Sequence, residues 1–225
     1  EIIMDQTNKD FFEAAAAGDF AKVCAAISKG ANVNVSNGDG RTALMRSAKR
    51  GYDDIVRFLL DNGADTRARD KNNKTALMGA AKKGHVEICK MLVEAGADVN
   101  SHDNKGRTAL MRASFLGQYD VVTFLVEKGA DVNKADEDGR TALMEAVNAF
   151  KLDVIKFLIE HGATLNTQDN MGCTALMRAS YGGYVDLIKY LLDNGADKEL
   201  IDNNGNKAIH YVRKELFEEL KEYLK

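Results

Sequence analysis

Apolar residues along this chain fall into two alternating short blocks. One block is Ala76 to Lys83, which Thr75 can open by capping a helix with its hydroxyl and which Gly84 can close by letting the backbone turn. The other carries Ile88, Cys89, Leu92 and Val93, an i, i+1, i+4, i+5 spacing that draws one apolar stripe down a second helix. Glu87 and Glu94 fall off that stripe. Gly96 ends the second helix, and Asn104-Lys105-Gly106 then marks a turn between two short extended arms. The pattern predicts helix, turn, helix and hairpin loop.

A pair of helices this short cannot bury its own stripe, so copies must stack. The sequence supplies them. Thr-Ala-Leu-Met begins at Thr42, Thr75, Thr108, Thr141 and Thr174, each 33 residues after the last, and a degenerate copy follows at Lys207-Ala208-Ile209-His210. Glycine-alanine pairs recur in one phase from Gly30-Ala31 to Gly195-Ala196. With Thr108-Ala109-Leu110, Gly117, the run Val121 to Val126 and Gly129-Ala130-Asp131-Val132-Asn133, the chain resembles the ankyrin repeat, whose period is about 33.

That resemblance implies an all-α ankyrin-repeat solenoid of stacked helix-turn-helix units with β-hairpin loops. It implies one domain, 1–225, with an amino-terminal capping repeat at 1–36, five full repeats over 37–201 and a carboxy-terminal capping repeat at 202–225. Two departures stand out. The family's helix-opening proline is alanine in every full repeat, and its histidine is Met45, Met78, Met111, Met144 and Met177. Apolar packing between repeats is expected to replace the histidine's hydrogen bonds. The two caps suggest a complete stack, while Glu1 in place of Met suggests removal of something upstream, by truncation or by cleavage of a targeting segment.

Composition adds exclusions. Hydrophobic residues are 45% and charged residues 29%, an ordinary globular balance, and apolar runs such as Phe58-Leu59-Leu60 are far shorter than the roughly 20 residues of a membrane helix. A net charge of −3 argues against coating nucleic acid by bulk electrostatics. Cys24, Cys89 and Cys173 are odd in number and lack metal-ligand spacing, so they read as unpaired thiols. His85, His102, His161 and His210 sit at different phases of the repeat, and no pair has helical ligand spacing. Carboxylates such as Asp54, Glu87, Asp120, Asp153 and Asp186 obey the period, as a solvated helix face does and an active site does not. The glycine turns lack the lysine and the strand-to-helix context of a phosphate loop. The methionines read as filling between inner helices, and Asn100, Asn133 and Asn166 as turn formers. Neither catalysis nor a cofactor is expected.

Positions that break the period are free to specify a partner. By resemblance, binding uses hairpin tips and the exposed side of each first helix, which together form a concave groove. There the chain offers Arg41, Arg46, Lys49 and Arg50, then Lys74, Gly79, Lys82 and Lys83, then Arg107, Arg112, Phe115 and Leu116; nine of these twelve are basic and none is acidic. Farther on come Arg140, Glu145, Asn148 and Ala149, then Cys173, Arg178, Tyr181 and Gly182. Apolar and aromatic residues rimmed by arginine suit an interface centre. Phe150 stands where other repeats carry Gly51, Gly84, Gly117 and Gly183, and strain there would alter the turn. The expected activity is non-catalytic binding of a protein partner with an acidic or mixed surface, as an adaptor or as an inhibitor or protector covering an enzyme. The chain is expected to act as a monomer without inserting into a membrane, in the cytoplasm or, after loss of a signal peptide, in a bacterial periplasm. Nucleic-acid binding through the basic groove is the alternative.

Overall fold

A computed structural model describes residues 4–225. Among them are thirteen α-helices, one 3-10 turn and no strand. The helices pair as α1 (Gln6–Ala17) with α2 (Phe20–Ser28), α3 (Ala43–Arg50) with α4 (Asp53–Asp61), and α5 (Ala76–Lys83) with α6 (Val86–Glu94). The series continues with α7 (Ala109–Leu116) and α8 (Tyr119–Glu127), α9 (Ala142–Asn148) and α10 (Leu152–Glu160), α11 (Ala175–Gly182) and α12 (Val185–Asp193). It ends with the 3-10 turn Ala208–Tyr211 and α13 (Lys214–Leu224). The fold is the all-helical repeat stack that the period predicts.

Thr42, Thr75, Thr141 and Thr174 open their helices by accepting a hydrogen bond from the backbone N–H of Met45, Met78, Met144 and Met177, at 3.2–3.4 Å. These threonines are almost fully buried, so each cap satisfies a donor that water cannot reach. The degenerate copy at 207–210 lacks a threonine and forms only the 3-10 turn, with His210 Nδ1 accepting from the Lys207 N–H at 2.9 Å.

Contacts divide the helices into two compact units, Glu1–Ala109 with Asp120–Ala130, and Leu110–Tyr119 with Asp131–Lys225. In the first, α3 packs between α1 and α5, and α4 between α2 and α6. Its core is Leu44, Ile55, Val56, Leu59, Leu77, Ile88, Cys89 and Leu92. In the second, α11 packs against α9, α12 and the 3-10 turn, and α13 closes on α12 and that turn with Leu220 and Leu224 buried. Both cores use the i, i+1, i+4 members of the second-helix stripe, and Val93, at i+5, is only half-buried. Each fully buried leucine or isoleucine contributes about 1.5–3 kcal/mol over its exposed state. The shared stripe is why one sequence pattern serves every repeat.

The loops are tighter than strand-built hairpins. Only isolated bridges form, Ser36 to Thr42 and His102 to Thr108, and the shape is held by one side chain at each root. Asp70 Oδ1 accepts the N–H groups of Asn72 and Lys74, and Asp103, Asp136, Asp169 and Asp202 repeat this two-bond grip on the residues two and four ahead. Asn37 does the same with its amide oxygen.

Candidate partner-binding surfaces

In the first unit the predicted basic positions gather on one face. Lys49 and Arg50 end α3, Lys82 and Lys83 end α5, and all four are exposed. Burial, then the charges of Lys83, Lys82, Arg41 and Arg46, hold the Lys49 ammonium below its usual pKa. A cation that its neighbours make easier to deprotonate sits in a positive field. Gly79 lies beside Lys49, and a Cβ there would meet Lys49 Cβ at 3.4 Å, an ordinary contact. Arg41 is half-buried and spans Asp39 at 3.7 Å and Asp70 at 3.9 Å. Arg46 is half-buried with its guanidinium 5.5 Å from the Phe12 ring centre. Lys74 and Arg107, also half-buried, follow the hairpin and receive the root aspartate's grip through their backbone N–H.

The second unit has a different surface. Phe115 and Leu116 at the end of α7 are 44% and 39% exposed, and Tyr181 near the end of α11 is 69% exposed. Beside Tyr181 opens a cleft of about 520 Å³, walled by Val147, Asn148, Met171, Cys173, Tyr184, Tyr211 and Arg213 among others. Arg178 lines it too, but its guanidinium is committed inward: one Nη pairs with the Asp169 carboxylate and the other donates to Asn148 Oδ1 at 3.0 Å. Tyr211 likewise donates its hydroxyl to Asp202, which lowers the Asp202 pKa and raises that of the phenol. Arg112 is half-buried. The unit thus offers exposed rings and spends two of its polar groups on its own hairpin roots.

Residues with catalytic potential are engaged locally. His85 points Nε2 at the Lys49 carbonyl, 3.2 Å away, and its ring fills the space that a Cβ on Gly51 would need. His161 Nδ1 lies 2.8 Å from the Phe157 carbonyl with the two rings stacked. Burial pushes the Cys89 thiol up to about 12, and burial followed by the Asp169 charge raises that of Cys173, so neither is an activated thiolate. The five methionines are buried, as filling between helices requires. Asn100, Asn133 and Asn166 do more than form turns: each donates its amide to the glycine carbonyl 29 residues on, at 3.0–3.3 Å, and so ties one repeat to the next. Arg67 replaces asparagine in that series and reaches Gly96 with Nε at 3.3 Å.

Phe150 corrects an expectation. The turn is not altered: Phe150 takes a left-handed φ of 52°, and the Lys151 N–H still reaches the Ala146 carbonyl at 2.9 Å, as Tyr52 reaches Ser47 and Tyr184 reaches Ala179. The ring stacks on Tyr184 at 4.2 Å, which offsets part of the backbone strain.

A family model described as ankyrin repeats matches residues 11–103, 67–136, 129–202 and 168–222. The chain belongs to the ankyrin-repeat family. Ankyrin repeats generally mediate protein–protein interaction, and the fold is typically a non-catalytic module. Among solved structures it is similar to the ankyrin repeat domain of Bcl-3, described as a unique member of the IkappaB protein family, with a TM-score of 0.81 and 26% identity over 94% of this chain and 97% of that one. No curated protein matches the sequence. No helix among the described residues is long and apolar enough to cross a membrane. Sequence analysis named Asn148 and the basic and aromatic positions, but not Met171, Tyr211 and Arg213 of the cleft. These three come from a hairpin and from the chain at the 3-10 turn, and no single periodic position announces them.

Proposed function

We propose that this ankyrin-repeat protein is a binding module for a protein partner bearing an acidic segment. That segment lies on the first-helix face of the first unit; the second unit, by itself, offers Phe115, Leu116 and Tyr181 to apolar side chains. The observation that carries the reading is the positive field around Lys49, where Lys82, Lys83, Arg41 and Arg46 crowd one face of a chain whose net charge is −3. A field of this kind draws in acidic surfaces and rejects basic ones. The module works as a monomer and as one folding domain, and it serves either as an adaptor or by covering a partner enzyme.

Affinity capture from the native host tests it, with the parent protein beside two variants. Lys49→Glu/Lys83→Glu is expected to lose the partner, and Glu94→Ala, on the second-helix side, to retain it. The opposite pattern would move the function to the outer helices. Recovery of nucleic acid as the retained species, with steep salt dependence, would favour the alternative reading instead.

A further inference from the structure

One arginine in this fold lacks the internal carboxylate that its register would give it. In the hairpin root at Asp169, Oδ1 takes the N–H groups of Met171 and Cys173, both at 2.9 Å, and Oδ2 pairs with Arg178, nine residues on. Asp202 repeats the plan: Oδ1 takes Asn204 and Asn206, and Oδ2 accepts from Tyr211, again nine residues on. In the first full repeat the root is Asn37, and nine residues on stands Arg46. Asn37 Oδ1 makes both backbone bonds, to Asp39 and Arg41 at 3.0 Å. Those two bonds fix the amide's orientation and leave its NH₂ end where Asp169 presents Oδ2. An NH₂ group cannot accept from a guanidinium. Arg46 therefore keeps its charge uncompensated at the root, over the Phe12 ring and within the field of Lys49.

We infer that Arg46 is the specificity-determining residue of the cationic face, and that it takes a carboxylate side chain of the partner's acidic segment in the role Asp169 plays for Arg178. This rests on the proposed function and sharpens it to one atom group. Carboxylate is the chemistry indicated because that is what the same register binds at both Asp169 and Asp202. Asn37 is then the device that keeps the site open: aspartate occupies the root position at 70, 103, 136, 169 and 202, and its presence at 37 would fill the site from within.

The test is to supply that carboxylate. Asn37→Asp keeps the hairpin grip, since five other roots use aspartate, and adds one negative charge. Asn62→Asp adds the same charge at the exposed end of α4 and serves as the control. The probe is a fluorescein-labelled, blocked hexaglutamate peptide, titrated at low salt by anisotropy, with an oligothymidylate of equal charge in parallel. Asn37→Asp and Arg46→Gln are each expected to weaken hexaglutamate binding about tenfold relative to Asn62→Asp, with unchanged circular dichroism. If Asn37→Asp binds like Asn62→Asp while Lys49→Glu/Lys83→Glu abolishes binding, the role of Arg46 is overturned and the acidic-partner reading stands. If the parent protein binds no hexaglutamate, both fall. Tighter binding of oligothymidylate, weakened by the same variants, would overturn the choice of carboxylate.

Discussion

The first-helix faces of the two units descend from one repeat pattern and have diverged in opposite directions. Around α3 and α5, lysines and arginines crowd together, and positions 79 and 37 carry a glycine and an asparagine rather than acids. Around α9 and α11, Arg178 and Tyr211 are satisfied by root aspartates, and what remains exposed is Tyr181, Met171 and Phe150. The lesson is that a basic residue in the sequence is not by itself a basic surface. Arg46 and Arg178 occupy one register, and the residue nine places earlier differs: Asp169 pairs with Arg178, whereas Asn37 offers no carboxylate to Arg46.

The comparison breaks most easily at the rings. With a partner in hand, Phe115→Ala is expected to weaken binding by about 2 kcal/mol through faster dissociation, as for a central hot spot, without loss of thermal stability. Lys49→Ala and Lys82→Ala should instead slow association and flatten its salt dependence, and rate constants from surface binding separate the two classes. An equal effect of both classes on dissociation would erase the distinction between the faces.

A smaller effect is expected where the second unit satisfies itself. Tyr211→Phe leaves Asp202 without its hydroxyl donor and should cost about 1–2 kcal/mol in chemical denaturation. The pH dependence has a definite sign. The Asp202 pKa is depressed in the folded state, so this contribution is present above the ordinary carboxylate range and is lost as pH falls through the folded value. In the variant, that part of the acid destabilisation should be missing.

In the first unit the titrating core group is Cys89. Its folded-state value is raised from 9.0 to about 12, so the unfolded thiol ionises first and stability should fall as pH rises across that interval, by at most about 1.4 kcal/mol per pH unit. Other repeats carry Val56, Val122, Ile155 and Ile188 there. Cys89→Val should remove that alkaline loss, and a parallel loss in both proteins would show that another group titrates.

The smallest effect concerns Phe150. Phe150→Gly relieves the left-handed backbone but gives up the stack on Tyr184, so the net change should stay within about 1 kcal/mol. Phe150→Ala keeps the strain and loses the ring, and it should be the less stable of the two by thermal melting. If alanine matches phenylalanine, the stack contributes nothing.

Sequence by itself determined the repeat and its helix pairs, because each repeat has to present the same buried stripe, the same threonine cap and the same turn, and that demand writes a period of 33 into the chain. It also marked Lys49, Lys82, Phe115 and Tyr181 as departures from the period. Tertiary structure alone decided which of those departures remain available. Arg178 was indistinguishable from Arg46 as a letter, and only its reach back to Asp169 shows it committed. Phe150 was legible as an anomaly, yet only the stacked Tyr184 ring shows a left-handed phenylalanine held in an unaltered turn. The physical reason is common to both: a cap or a stripe depends on residues a few places apart, whereas the fate of a charge or a strained ring depends on what neighbouring helices and hairpins bring within about 4 Å of it.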